Sequence, residues 1–120
     1  MIKTHGLTHV ALAVKDPEVS LRFYESLFGV KEYFRDESSI QVCGPGPYDV
    51  IAFERSDREM VRGAIDHFGF RLTDPKDIER AVEEAKAVGA TIVDHGEFSP
   101  GYPFLFILDP DGNQIEIWYE

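Results

Sequence analysis

Two histidines and one carboxylate, each on a stretch of alternating residues, could together grip a divalent metal ion. His9 opens the run His-Val-Ala-Leu-Ala-Val and His67 opens His-Phe-Gly-Phe-Arg-Leu. Each histidine is followed seven residues later by Asp-Pro, at Asp16-Pro17 and at Asp74-Pro75, so both features recur at one offset, from 9 to 67 and from 16 to 74. That offset is close to half of the 120 residues. A duplicated unit brings its equivalent positions together when the copies pack, so histidines far apart in sequence can meet in space. Glu116 supplies the carboxylate, in the last alternating stretch from Gln114 to Tyr119. Two imidazoles and one carboxylate make a three-donor set with open positions, suited to one divalent metal ion: Fe(II), Mn(II), Ni(II) or Zn(II). A single histidine on a strand face is more often a satisfied structural group, and a single glutamate more often a solvated one. Repeat-equivalent spacing of the histidines and matching parity of the glutamate favour the joint reading.

The elements that must position these groups follow from periodicity. In residues 5–14, His9, Ala11 and Ala13 fall on one side of a strand and Val10, Leu12 and Val14 on the other. Asp16 suits an N-cap and Pro17 the first helical position. Val19, Phe23 and Leu27 then predict the buried stripe of a helix that Gly29 ends. Short strands are expected at 30–35, 38–43 and 49–55, with Gly44-Pro-Gly-Pro47 as a breaker. The second copy begins near 65, where His67, Gly69 and Arg71 alternate with Phe68, Phe70 and Leu72. Asp74 and Pro75 repeat the cap, and Ile78, Val82 and Ala85 supply the helical stripe up to Gly89. Strands near 90–94 and 103–108 follow, and Asp111-Gly112 turns the chain into a last strand over 113–119. The sum is α+β: two βαβββ modules, about 1–58 and about 59–120, in a single domain over 1–120. A sheet with one face packed on helices can curl its other face around a cavity, and the small neighbours Ala11, Ala13 and Gly69 leave room there for a ligand.

Composition narrows the partners. A chain of 120 residues supports one domain with one core. A hydrophobic content of 43% with a formal charge of −10 fits a globular protein rather than a disordered one. Twelve scattered basic residues form no stripe, which argues against nucleic acid. No run approaches the roughly 18 apolar residues that span a bilayer, so no membrane partner is expected. The start, Met1-Ile-Lys-Thr-His-Gly, lacks a signal-peptide layout. The lone Cys43 cannot form an intrachain disulfide, so a reducing cytoplasm is the expected compartment and a buried thiol the expected state. A small-molecule substrate is the expected partner.

The stretches Thr8-His9-Val-Ala-Leu-Ala-Val, Phe23-Tyr24 ahead of Leu27-Phe-Gly29, and Asp109-Pro-Asp-Gly-Asn-Gln-Ile-Glu116 carry a resemblance that covers essentially the whole chain. The sequence resembles the vicinal oxygen chelate superfamily, which includes glyoxalase I, extradiol dioxygenases, fosfomycin-resistance enzymes and bleomycin-resistance proteins. The resemblance implies the paired βαβββ architecture, a homodimer, and His9, His67 and Glu116 at the superfamily's metal-ligand positions. Glyoxalase I carries a fourth ligand, a glutamate in the last strand of the first module; aligning Val50-Ile51-Ala52-Phe53 with Gln114-Ile115-Glu116-Ile117 puts Ala52 there. Glu54, two residues on and of the same parity, is then either a general base or a solvated strand end. Extradiol dioxygenases place a tyrosine before the Asp-Pro turn and a histidine several residues earlier. Here the tyrosine position is Phe106, and His95 lies too far upstream. Fosfomycin transferases need cations around a phosphonate, yet no Lys or Arg follows residue 86.

The expected activity is therefore that of a metal-dependent enzyme. It chelates a small substrate through adjacent oxygens and carries out lyase or isomerase chemistry through an enediolate-like intermediate. The alternatives are an extradiol-type dioxygenase and a metal-free small-molecule or antibiotic-binding protein of the bleomycin-resistance kind. Arg71 shares the His67 face and is expected to hold a substrate carboxylate or a cross-strand salt bridge. Tyr48 and Tyr102 lie in Gly/Pro-rich loops, where they rim the cavity or cover a sheet edge. His5 lies about 13 Å from His9 along an extended strand, too far to share its ion. His95 is expected in a surface loop, and Asp109-Pro-Asp-Gly as a turn rather than a calcium loop.

Overall fold

The computed structural model describes residues 1, 3, 7, 9–46, 49–57, 59 and 65–119. The chain divides into two compact units, Met1–Glu59 and Met60–Glu120. Each builds its own four-stranded mixed sheet with one α-helix, so the architecture is α+β, with one sheet in each unit.

Unit 1 runs β1 (His9–Val14), α1 (Pro17–Phe28), β2 (Lys31–Arg35), β3 (Ser39–Cys43) and β4 (Val50–Arg55), in sheet order β1-β4-β3-β2. The β1–β4 pair is parallel and the others are antiparallel. Asp16 caps α1 by accepting a hydrogen bond from the Glu18 N–H, Pro17 follows at the first turn, and Gly29 closes the helix with φ at 61°. That left-handed backbone is open to glycine at little cost. The helix buries Pro17, Ser20, Leu21, Phe23 and Tyr24. This corrects the stripe expected from sequence: Val19 is exposed, because the buried face centres on Tyr24, whose ring packs 4.9 Å from Phe53. Val10, Leu12 and Val14 face the helix side together with Ile51, Phe53, Ile40 and Val42, as the register requires. Arg35, on the β2 edge, donates to Glu18 of α1 and to Glu32, tying helix to strand. The side-chain hydrogen bond from Arg35 holds the Glu32 carboxyl below its ordinary range.

Unit 2 repeats the plan with β5 (Phe68–Arg71), α2 (Ile78–Ala87), β6 (Thr91–Glu97), β7 (Pro103–Leu108) and β8 (Gln114–Trp118), ordered β5-β8-β7-β6. Here the Asp74-Pro75 cap opens a short 3₁₀ turn, Pro75–Asp77, ahead of the helix. Val82 and Ala85 are buried against a sheet face built from Leu105, Ile107, Ile115 and Ile117. β6 runs to Glu97, three residues past the expected end, and His95 sits in it opposite Leu105 rather than in a loop. The hairpin registers the strand through Phe98 N–H donating to the Tyr102 carbonyl, which extends pairing through a polar stretch that carries no alternation signal.

The β7–β8 turn is locked by one carboxylate. Asp109 is buried at 5% exposure, and its side chain accepts from the Asp111 N–H, the Asn113 N–H and the Asn113 Nδ2. These three residues hold the turn as a turn, with no calcium-loop geometry required. Asp109→Ala leaves those donors without their acceptor and is expected to cost about 2–3 kcal/mol. A urea titration followed by circular dichroism checks it; a midpoint unchanged from wild type would show that the turn forms without the carboxylate.

Candidate metal centre

Unit 2 brings two of the expected donors together. His67 immediately precedes β5, and β5 pairs in parallel with β8, with Gly69 opposite Glu116. Two residues of offset along parallel neighbours leave the imidazole diagonal to the carboxylate, and His67 Nε2 lies 3.3 Å from Glu116 Oε2. The other ring nitrogen, Nδ1, lies 2.7 Å from Asp66 Oδ2. The imidazole therefore has a carboxylate at each nitrogen. A neutral ring carries one N–H and can satisfy only one of them; a proton or a cation on the Glu116 side satisfies both. A carboxylate behind the far nitrogen is the arrangement that orients a metal-ligating histidine. Glu116 is mostly buried, at 13% side-chain exposure, while His67 keeps 36%.

The neighbours are aromatic. Phe106 stands opposite Glu116 in the β7–β8 ladder, and its ring meets the His67 ring edge-on at 5.3 Å. A phenyl edge occupies the place where the resemblance to extradiol dioxygenases would put a phenolic hydroxyl, so it has no proton to give. His95 is in register with Leu105, on the opposite side of the sheet from Phe106. Neither dioxygenase helper stands at the His67–Glu116 pair.

In unit 1, His9 begins β1 opposite Val50, exposed on the face away from α1. Ala11 pairs with Ala52 just as Gly69 pairs with Glu116, so Ala52 is the structural counterpart of Glu116 and unit 1 has no carboxylate at that place. Glu54 is exposed opposite Ala13, four residues beyond the level of His9, or about 13 Å along the strand. That is too far for Glu54 and His9 to bind one ion directly. Among the described residues no three His, Cys, Asp or Glu side chains converge on a common point. Asp66, His67 and Glu116 lie in line rather than around a centre.

Arg71, on β5, holds its guanidinium 5.8 Å over the Tyr119 ring. Tyr102 lies in the β6–β7 turn, 45% exposed, four residues from Phe106. Tyr48 and His5 fall outside the described residues. Cys43 is half-buried on the open face of unit 1 rather than enclosed in the core. Asp66 escaped the sequence reading; a loop aspartate beside a histidine has no periodicity to mark it.

Comparison with known proteins agrees with this architecture. The chain is 28% identical over 115 residues to a manganese-dependent 2,3-dihydroxybiphenyl 1,2-dioxygenase of Geobacillus genomosp. 3, covering 93% of this chain and 36% of that one. It is 25% identical over 130 residues to catechol-2,3-dioxygenase of Bacillus subtilis (strain 168), covering 98% of this chain and 44% of that one. The chain thus spans less than half the length of these two relatives. A crystal structure of the fosfomycin resistance protein FosX of Listeria monocytogenes shares the fold, with a TM-score of 0.82 and 20% identity over 96% of this chain and 90% of that one. That structure is a mutant complexed with Mn(II) and 1S,2S-dihydroxypropylphosphonic acid. No helix among the described residues is long and apolar enough to cross a membrane. Residues 6–117 match the family described as the Glyoxalase/Bleomycin resistance protein/Dioxygenase superfamily, and the chain belongs to it.

Proposed function

We propose that this protein is a metal-dependent enzyme in which His9, His67 and Glu116 hold one divalent cation. Its small substrate chelates that cation through two adjacent oxygens and undergoes lyase or isomerase chemistry. The observation that carries this reading is the imidazole of His67 set between two carboxylates, with Nε2 3.3 Å from Glu116 and Nδ1 2.7 Å from Asp66. The donor set fits a borderline cation, Fe, Mn, Ni or Zn; the Geobacillus dioxygenase is manganese-dependent and the FosX structure contains Mn(II). When bound, such an ion supplies Lewis acidity to the chelating oxygens. Asp66 fixes the orientation of the His67 ring, and Glu116 contributes negative charge. Phe106 keeps water from one side of the imidazole. Glu54 is the proposed base, acting on substrate rather than on the ion, and Arg71 and Tyr102 are proposed substrate contacts. His9 comes from the same chain or from a second copy in a homodimer.

A second reading, an extradiol-type dioxygenase, is favoured by the two dioxygenase relatives. The phenyl edge of Phe106 and the far-side register of His95 support the lyase or isomerase reading over it. Elemental analysis of protein purified without added metal tests the proposal. Close to one Mn, Fe, Ni or Zn per chain is expected; no metal after supplementation of the growth medium would favour a metal-free binding protein instead.

A further inference from the structure

The open face of unit 2 carries a row of rings that leads away from the His67–Glu116 pair. Phe106 meets His67 at 5.3 Å, Phe104 meets Phe106 at 5.6 Å, and Phe98 stacks on Phe104 at 4.4 Å with planes 24° apart. Trp118 is the register partner of Phe104 on the adjacent strand. Its indole reaches across Gly69, where an added Cβ would come within 3.3 Å of the indole nitrogen. A phenyl pair at the hairpin would by itself do no more than brace two strands. This row continues past the hairpin to the candidate ligand His67, and Phe98 at its far end is left 60% exposed. Among the described residues of this sheet face the one cation is Arg71, whose guanidinium lies over Tyr119. The face therefore offers π surface and little positive charge.

We infer that Phe98, Phe104, Phe106 and Trp118 form a ring-stacking subsite for the non-chelating arm of the substrate, so that the substrate class is a flat aromatic group attached to a two-oxygen head. This rests on the proposed metal reading for the head, but the arm is read from the rings alone. An aromatic arm gains apolar burial and offset or edge-on ring contacts on such a surface. An anionic arm would gain neither.

Three probes share an α-hydroxy acid head and differ in the arm: lactate, hexahydromandelate and mandelate. Trp118 is the sole tryptophan, so quenching of its emission reads binding at the subsite directly. With protein loaded with Mn(II), mandelate is expected to bind at least about tenfold tighter than lactate and about threefold tighter than hexahydromandelate. Phe104→Leu keeps apolar bulk and should bring the mandelate-to-lactate ratio down to about threefold or less. The exposed Phe98→Ala should lower the same ratio without threatening the fold. Equal affinity for mandelate and lactate, no binding of any probe, or a ratio moved by neither variant would overturn the subsite. The titrations are repeated after EDTA treatment. A preference that survives while affinity proves indifferent to metal supports the subsite and sinks the metal reading; strong metal dependence with no preference for the ring does the reverse.

Discussion

In the His67→Ala variant, bound metal is expected to fall from near one ion per chain to near zero. The imidazole is the donor whose two nitrogens are both engaged by carboxylates, so its loss removes a ligand and also the brace from Asp66. Removing an outer partner of a metal-ligating histidine typically costs about 10–100-fold in metal affinity; removing the histidine itself should cost more. His67 lies at a strand entrance and keeps 36% side-chain exposure, so the fold is expected to survive the change. Circular dichroism of the variant provides that control. Metal retained at wild-type stoichiometry in a folded His67→Ala protein would count heavily against the site.

Phe53→Ala carries the largest expected effect on stability. Phe53 is fully buried in β4, on the face that packs against α1, and its ring lies against Tyr24 of the helix. Truncating a buried phenylalanine costs about 3–5 kcal/mol, because transfer free energy is lost and the cavity collapses only in part. Against the roughly 5–15 kcal/mol that holds a domain of this size together, that is a large fraction. The urea midpoint should fall by roughly 1–5 M, given denaturant slopes of about 1–3 kcal/mol/M. A shift below a few tenths of a molar unit would mean that unit 1 draws its stability from elsewhere.

The sequence made the strand faces legible because alternation has a period of two and survives any error in strand ends. That is why His9, Ala11 and Ala13 fall opposite Leu12 and Val14, and why Glu116 shares a side with Gly69. Both Asp-Pro caps were legible from capping chemistry alone. The buried stripe of α1 was placed off-centre because Val19 is aliphatic, while the helix turns Tyr24 and Ser20 inward. Hydropathy does not mark a serine or a tyrosine as core. His95 and the extension of β6 were illegible for a related reason, since Asp-His-Gly-Glu has no alternation and is held by its hairpin partner. The closeness of Glu116 to His67 could be expected from parity, but the 3.3 Å contact depends on a parallel register that letters do not state. Asp66 was beyond reach because a loop aspartate has no periodicity to mark it, and the continuous ring row because contacts between strands have no signature along one strand.

Everything rests on a common grip by three groups from distant parts of the chain. Anomalous scattering from crystals of the Mn(II)-loaded protein tests this most directly. One strong peak is predicted beside the His67–Glu116 pair, at about 2.0–2.3 Å from His67 Nε2, a Glu116 carboxylate oxygen and a His9 ring nitrogen of the same or a second copy. Manganese bound elsewhere, or a peak at the pair with every His9 beyond bonding distance, would contradict the account.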